Sequence, residues 1–227
     1  MNNNFNLVID NIQKSTAHLK DRSFFINVEF DNSHIRTIEI KLSLTNHLFT
    51  KKIQDNEYKH KDDLQRSGHW ITTYKYKKHN YQQIILPPTI LEHRLFCLKK
   101  YNDSFRITEF INQLAENPKQ FTVLANSGDH QTLLSASIDL HNRSYLVFFK
   151  LHKINSKAVT MLVLTAYSVD SKDYNIQDLT KNRSRKNKKP FLIVIKNVME
   201  GRNPHESLTK KNSNHKRKKS ILKRKKP

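Results

Sequence analysis

SYLVFFKL (residues 144–151) and KAVTMLVLTAY (157–167), separated by the turn residues Ile154-Asn155-Ser156, read as two central strands of a sheet. Residues 145–149 and 161–164 are continuous apolar runs, the pattern of a strand covered on both faces. Two further strand candidates precede them, QFTVLA (120–125) and QTLLSASI (131–138). Ser127-Gly128-Asp129 and His141-Asn142-Arg143 supply turn chemistry between neighbours. Upstream, Thr89 stands as a cap for ILEHRLFCLKK (90–100), where Leu91, Leu95 and Leu98 fall at helical spacing. A second helix is predicted over SFRITEFINQLAE (104–116), stopping before Pro118. Two helices followed by four antiparallel strands predict an α+β fold.

Residues 5–20 place Phe5, Val8, Ile9, Ile12 and Leu19 near one helical face and predict an N-terminal helix. SFFINVEF (23–30) and IRTIEIKLSL (35–44) alternate, with Asp31-Asn32-Ser33-His34 between them, and predict a hairpin. The polar stretch 54–68 reads as a mobile loop. HWITTYKY (69–76) and YQQIIL (81–86) read as strands, and Pro87-Pro88 interrupts regular structure. PFLIVIKNVM (190–199) reads as a last strand. This divides the chain into an N-terminal lobe (1–86), an α+β main domain (87–200) and a disordered basic tail (201–227).

Composition narrows the chemistry. Three glycines exclude a glycine-rich phosphate loop, and one cysteine excludes a disulfide framework or a cysteine-based zinc site. No stretch approaches the roughly 18–20 apolar residues that span a bilayer, so no membrane partner is expected. The start, MNNNFNLVID, lacks the basic and apolar regions of a secretory signal, so a cytoplasmic protein is expected. No HExxH, GxSxG or CxxC motif occurs, and the twelve histidines do not fall at metal-ligand spacing. No metal or cofactor is expected.

The net charge of +21 is concentrated. Residues 201–227 hold eleven Lys/Arg against one Glu, and 181–189 (KNRSRKNKK) hold six with no acid. Residues 1–180 carry only +5. Like charges at that density repel, so the tail is predicted to be disordered and to gain affinity for phosphates through counterion release. Arg183, Arg185, Lys186, Lys216, Arg217, Lys218 and Lys219 are therefore candidate nucleic-acid contacts. A solubilising end is the plainer alternative, and an acidic protein is the other class of partner. In SGHWITTYKYKKHNY, Trp70 and Tyr74 interleave with Lys75, Lys77 and Lys78, a mixture that stacks bases and follows a backbone. It equally describes a half-buried strand with a basic outer face.

Metal-free RNA cleavage needs a group to take the 2′-OH proton, a group to protonate the leaving oxygen, and cations or hydroxyls around the phosphorane. The order helix–helix–four strands across residues 89–167, basic and ending with Thr165 and Tyr167, resembles the barnase/EndoU/colicin/RelE-like metal-independent ribonucleases of toxin–antitoxin systems, phages and mobile elements. The resemblance implies a small α+β ribonuclease whose site uses His, Arg, Lys, Thr or Tyr on the sheet and an adjoining helix. On it, His93 is the candidate acid or base, Arg94 the phosphate clamp and Lys100 a neighbouring phosphate contact. Thr165 and Tyr167 share one strand face and would hydrogen-bond the scissile phosphate or stack a base. Lys150, on one face with His152, would touch phosphate. Each also has a structural reading: His93 as a surface histidine, Tyr167 as a core edge, Lys150 as a solvated strand end, Cys97 as core. The expected function is a toxin-type endoribonuclease acting on RNA, with an acidic antitoxin-like protein as a further partner. The alternative is a non-catalytic RNA- or ribosome-binding protein of a mobile element.

Overall fold

The computed structural model describes residues 6–30, 34–75, 90–125, 133–140, 143–170 and 188–205. The four strands expected at the centre are present: β8 (Thr122–Ala125), β9 (Leu134–Leu140), β10 (Arg143–Lys153) and β11 (Ala158–Val169). They pair antiparallel in chain order. The hairpin expected upstream also forms, as β3 (Arg22–Glu29) against β4 (Ile35–Leu44). Its strand β4 lies parallel to β11, completing a seven-stranded sheet of order β12-β8-β9-β10-β11-β4-β3, in which β12 is Lys188–Pro190. Strands from before and after Pro87-Pro88 thus share one hydrogen-bonded sheet. The two prolines themselves, the strand expected at 81–86, and most of the 181–189 run lie outside the described residues. So do residues 206–227.

One face of this sheet carries the main core. Ile38, Ile40, Val147, Phe149, Met161 and Val163 are buried there. Helix α3 (Ile107–Glu116) covers it with Ile107, Phe110, Ile111 and Leu114, and ends before Pro118 as the sequence predicts. The last element also covers this face, but as helix α4 (Phe191–Met199) rather than the expected strand. Phe191, Val194, Ile195, Val198 and Met199 are the buried apolar positions, and Asn197 is buried with them. That i, i+3, i+4, i+7, i+8 set is helical, and an apolar run this short does not reveal its period without the surface it packs on.

Three other expectations change. The helix expected over 5–20 does not form across 6–20 (Phe5 lies outside the described residues): β1 (Asn6–Ile9) and β2 (Ile12–Ser15) make a hairpin, followed by a 3-10 turn over Ala17–Leu19. Asp10 and Asn11 take φ of 50° and 60°, the left-handed pair of a two-residue hairpin turn, and these short polar residues tolerate it. The loop expected at 54–68 holds a 3-10 turn (Glu57–His60) and helix α1 (Lys61–Arg66), with Asp62 and Asp63 in its first turn. Gly68 closes it at φ 77°, where a Cβ would stand 1.9 Å from the Val8 carbonyl oxygen.

The third change matters most for function. Residues 90–96 are strand β7 (Ile90–Phe96), and only then does helix α2 (Leu98–Ser104) begin. β7 is the middle strand of a three-stranded sheet, between β5 (Thr50–Lys52) and β6 (Trp70–Lys75). The i, i+4, i+7 spacing of Leu91, Leu95 and Leu98 makes no single helix: the first two fall in β7, which is paired on both sides, and Leu98 opens α2. Leu95 and Phe96, adjacent in sequence, are both buried, whereas Leu98 is 54% exposed. Cys97, expected in the core, is half-buried.

Candidate functional site

Alternation along β7 puts Glu92, Arg94 and Phe96 on one face and His93 and Leu95 on the other. Glu92 and Arg94 are paired there, Nη1 to Oε1 at 3.0 Å. Arg94 also donates from Nε to the Thr50 hydroxyl at 2.8 Å, and that hydroxyl donates to the Asn46 carbonyl. The guanidinium is therefore fixed, with 11% of the side chain exposed. From the turn after β4, His47 places Nε2 3.3 Å from the other Glu92 oxygen, Oε2. One carboxylate thus holds both an imidazole and a guanidinium.

Lys100, in the first turn of α2, closes the group. Its Nζ donates to the His47 carbonyl (2.6 Å), the Thr50 carbonyl (3.0 Å) and the Thr165 hydroxyl (3.1 Å). Thr165 is aimed there by an irregularity in β11. Phe148 pairs with Thr165 and Phe149 with Val163, leaving Leu164 as an extra residue. A bulge of this kind re-aims the side chains around it. Thr45 holds it in place: its N–H donates to the Val163 carbonyl and its hydroxyl to the Leu164 carbonyl. Ser168, further along β11, donates from N–H and hydroxyl to Asp103 of α2, which locks that helix alongside.

The electrostatics follow from crowding. Partial burial and the charge of Arg94 push Lys100 down to about 8. Burial, then Arg94, also lower His47 below the ordinary histidine value, although Glu92 pulls the other way. Near neutral pH this leaves a neutral imidazole beside an ammonium close to its own midpoint. Glu92 accepting from Nε2–H would hold the proton there and leave Nδ1 as the basic atom. A cleft of 290 Å³, lined in part by Thr16, Lys20, Asp21, Asn46 and Phe49, includes none of these side chains and reaches the group only through Asn46, whose carbonyl accepts from Thr50. A larger hollow, 770 Å³, is lined by Phe25, Arg36, Glu39 and Lys157 among others and shares no residue with the cluster.

Of the residues singled out from the sequence, Arg94, Lys100 and Thr165 meet in this cluster. His93 does not: as a strand residue it faces the other side of β7, with Nδ1 3.4 Å from the Thr72 hydroxyl and its ring 5.4 Å from Trp70. Tyr167 shares the face of Thr165 but stacks on Phe148 in a small cluster with Leu124, Leu146 and Val169. Lys150 lies on that same sheet face opposite Leu162, further along β10. His152 beside it is 2% exposed rather than solvated. Tyr74 and Lys75 belong to β6. Lys77, Lys78, Arg183, Arg185, Lys186, Lys216, Arg217, Lys218 and Lys219 lie outside the described residues.

His47, Glu92 and Thr50 are not legible in the sequence as members of a site. Glu92 becomes a neighbour of Arg94 only at strand spacing, and His47 arrives from a turn forty-five residues earlier. Among the described residues no three His, Cys, Asp or Glu side chains group as metal ligands, and no helix is long and apolar enough to cross a membrane.

The sequence model of the YjaZ family matches residues 6–199, which takes in the whole cluster. The chain belongs to the YjaZ family. No curated protein and no solved structure matches it.

Proposed function

We propose that this YjaZ-family chain is a metal-independent endoribonuclease of toxin type, cleaving RNA by general acid–base transesterification. The observation that carries the reading is the convergence of His47, Glu92, Arg94, Lys100 and Thr165 from four separate elements. Neutral His47, oriented by Glu92, takes the 2′-OH proton on Nδ1 as that oxygen attacks phosphorus. Arg94 has N–H groups left after its bonds to Thr50 and Glu92, and these stabilise the phosphorane charge. The 5′-oxygen leaves with the proton of the Thr165 hydroxyl, which Lys100 replaces. An ammonium near its midpoint suits that task. The products are a 2′,3′-cyclic phosphate and a 5′-hydroxyl, and the proton gained by His47 matches the one given up by Lys100.

The polybasic segments add affinity for phosphates, and their charge suits an acidic antitoxin-like protein as a neutralising partner. RNA and such an inhibitor would both be met in the cytoplasm. The test is incubation of the purified chain with RNA in EDTA. Cleavage leaving cyclic-phosphate ends, abolished by His47→Ala and by 2′-O-methyl substitution of the RNA, is expected. Intact RNA would remove the enzyme claim. One feature favours a second reading, a non-catalytic RNA- or ribosome-binding protein: every Nζ proton of Lys100 already has an acceptor within the chain. In that case His47→Ala leaves RNA binding and every cellular effect unchanged.

A further inference from the structure

The opposite face of β7 carries side chains that the cleavage chemistry leaves unused. The β6–β7 register sets Trp70 across from Leu95 and Thr72 across from His93, so Trp70 and His93 are diagonal neighbours on that face. Their rings are 5.4 Å apart with planes inclined at 38°. His93 is exposed, while Trp70 is half-buried beneath it. Tyr58 meets the indole edge-on at 5.8 Å, and the Lys61 ammonium stands 5.7 Å from its centroid. The indole Nε1 is shielded from solvent with no hydrogen-bond partner, so ring contacts rather than a polar anchor hold Trp70 in place. The Thr72 hydroxyl, 3.4 Å from Nδ1, flanks the His93 ring.

We propose that His93 and Trp70 form a stacking subsite for one unpaired nucleobase of single-stranded RNA, with Lys61 as the adjoining cation. Naming RNA as the ligand rests on the nuclease reading; the platform itself rests on the ring geometry. An exposed ring backed by a second aromatic, with an ammonium beside it, is the arrangement that stacks bases without reading their edges. Bases inside a duplex are already stacked and do not reach it. Because His93 and Arg94 are consecutive on a strand, the platform and the acid–base cluster lie on opposite faces of the same sheet. The stacked nucleotide is therefore not one of the two that share the cleaved bond. Selection of single strands is thus built into the sheet face opposite the cutting site.

Trp70 is the chain's one tryptophan, so its emission reports this location alone. The experiment titrates the full chain carrying His47→Ala, which blocks the proposed cleavage, with three probes: a single-stranded oligoribonucleotide, a duplex of equal length, and an abasic strand of equal charge. Saturable quenching by the single strand alone is expected. Adding His93→Ala should weaken single-strand binding about 5- to 150-fold while leaving abasic-strand binding unchanged. His93→Phe should restore most of that affinity, which separates stacking from a folding defect. Equal quenching by the abasic strand, or unchanged affinity in His93→Ala, overturns the platform. Cleavage by the parent chain with no quenching would sink the platform and spare the nuclease. Quenching without cleavage would do the reverse.

Discussion

Along β10, Val147, Phe149 and Leu151 fill one face with hydrocarbon against α3 and α4. Along β7, the same alternation brings Glu92 and Arg94 to one face before it reaches buried Phe96. Both strands are central in their sheets, yet one carries stability and the other carries charge. In the apolar layer of the large sheet each hydrocarbon side chain answers to shape and volume rather than to a polar partner. In the small sheet the polar groups depend on named partners, Glu92 on Arg94 and His47 and Arg94 on Thr50, and Lys100 ties them to Thr165 of the large sheet. This fold thus packs its apolar layer on the large sheet and gathers a crowded set of charges where the smaller sheet meets β11 and α2.

The sharpest way to break that contrast is truncation in the apolar layer. Phe149→Ala removes a side chain with no exposure and should cost about 3–5 kcal/mol in urea unfolding. A cost below about 1 kcal/mol would show that the large sheet does not hold the fold. The corresponding cut in the small sheet is Arg94→Ala. It should leave the chain folded but lower RNA cleavage about 10²- to 10³-fold, read from initial rates under EDTA. Arg94→Lys should rescue little, because an ammonium cannot reach Thr50 and Glu92 with one planar fork.

Smaller effects appear with pH. Cleavage should follow a bell. Its acid limb lies below the ordinary histidine value, as His47 sheds its proton, and its alkaline limb lies near 8, as Lys100 sheds its own. Lys100→Met should flatten the alkaline limb. Stability has the opposite sign there. Lys100 gives up its proton near 8 when folded and near the ordinary lysine value of 10.5 when unfolded, so between those values the unfolded chain binds the extra proton. Parent stability should therefore rise relative to Lys100→Met across that window, and below it the difference should be constant. Urea midpoints at about pH 7 and about pH 10 that differ equally for the two chains would contradict this.

Weaker again is the effect of the polybasic end. Deleting 206–227 should lower RNA affinity and reduce the slope of log affinity against log salt by about 0.7 for each single-strand phosphate that is no longer neutralised. An unchanged slope would mean that the segment does not touch phosphate. The smallest change should come from Phe25→Ser on the outer face of edge strand β3. That side chain is 65% exposed, and the stability change should stay within about 0.5 kcal/mol.

Where apolar strands were bounded by turn residues, or a helix by a proline, the local pattern was enough, although the helical spacing read over residues 5–20 was not. β8 to β11, the β3–β4 hairpin and the end of α3 before Pro118 are written in alternation, turn residues and a proline, all of them local. The α+β class follows from those elements alone. ILEHRLF and FLIVIKNVM were different, since a short apolar run fits both a helix and a strand. Pairing with β5 and β6 made the first a strand, and packing on the main sheet made the second a helix. That exchange moved His93 out of the candidate site and brought Glu92 in beside Arg94. The chemistry of the cluster was equally nonlocal. Residue types showed a basic chain rich in histidine, but His47 and Thr165 meet through Lys100 only because β4 and β11 run side by side and a bulge at Leu164 turns Thr165 toward it. Sequence carries what neighbours along the chain decide; the joining of residues 47, 92, 100 and 165 required the sheets to close, because no local preference spans that distance.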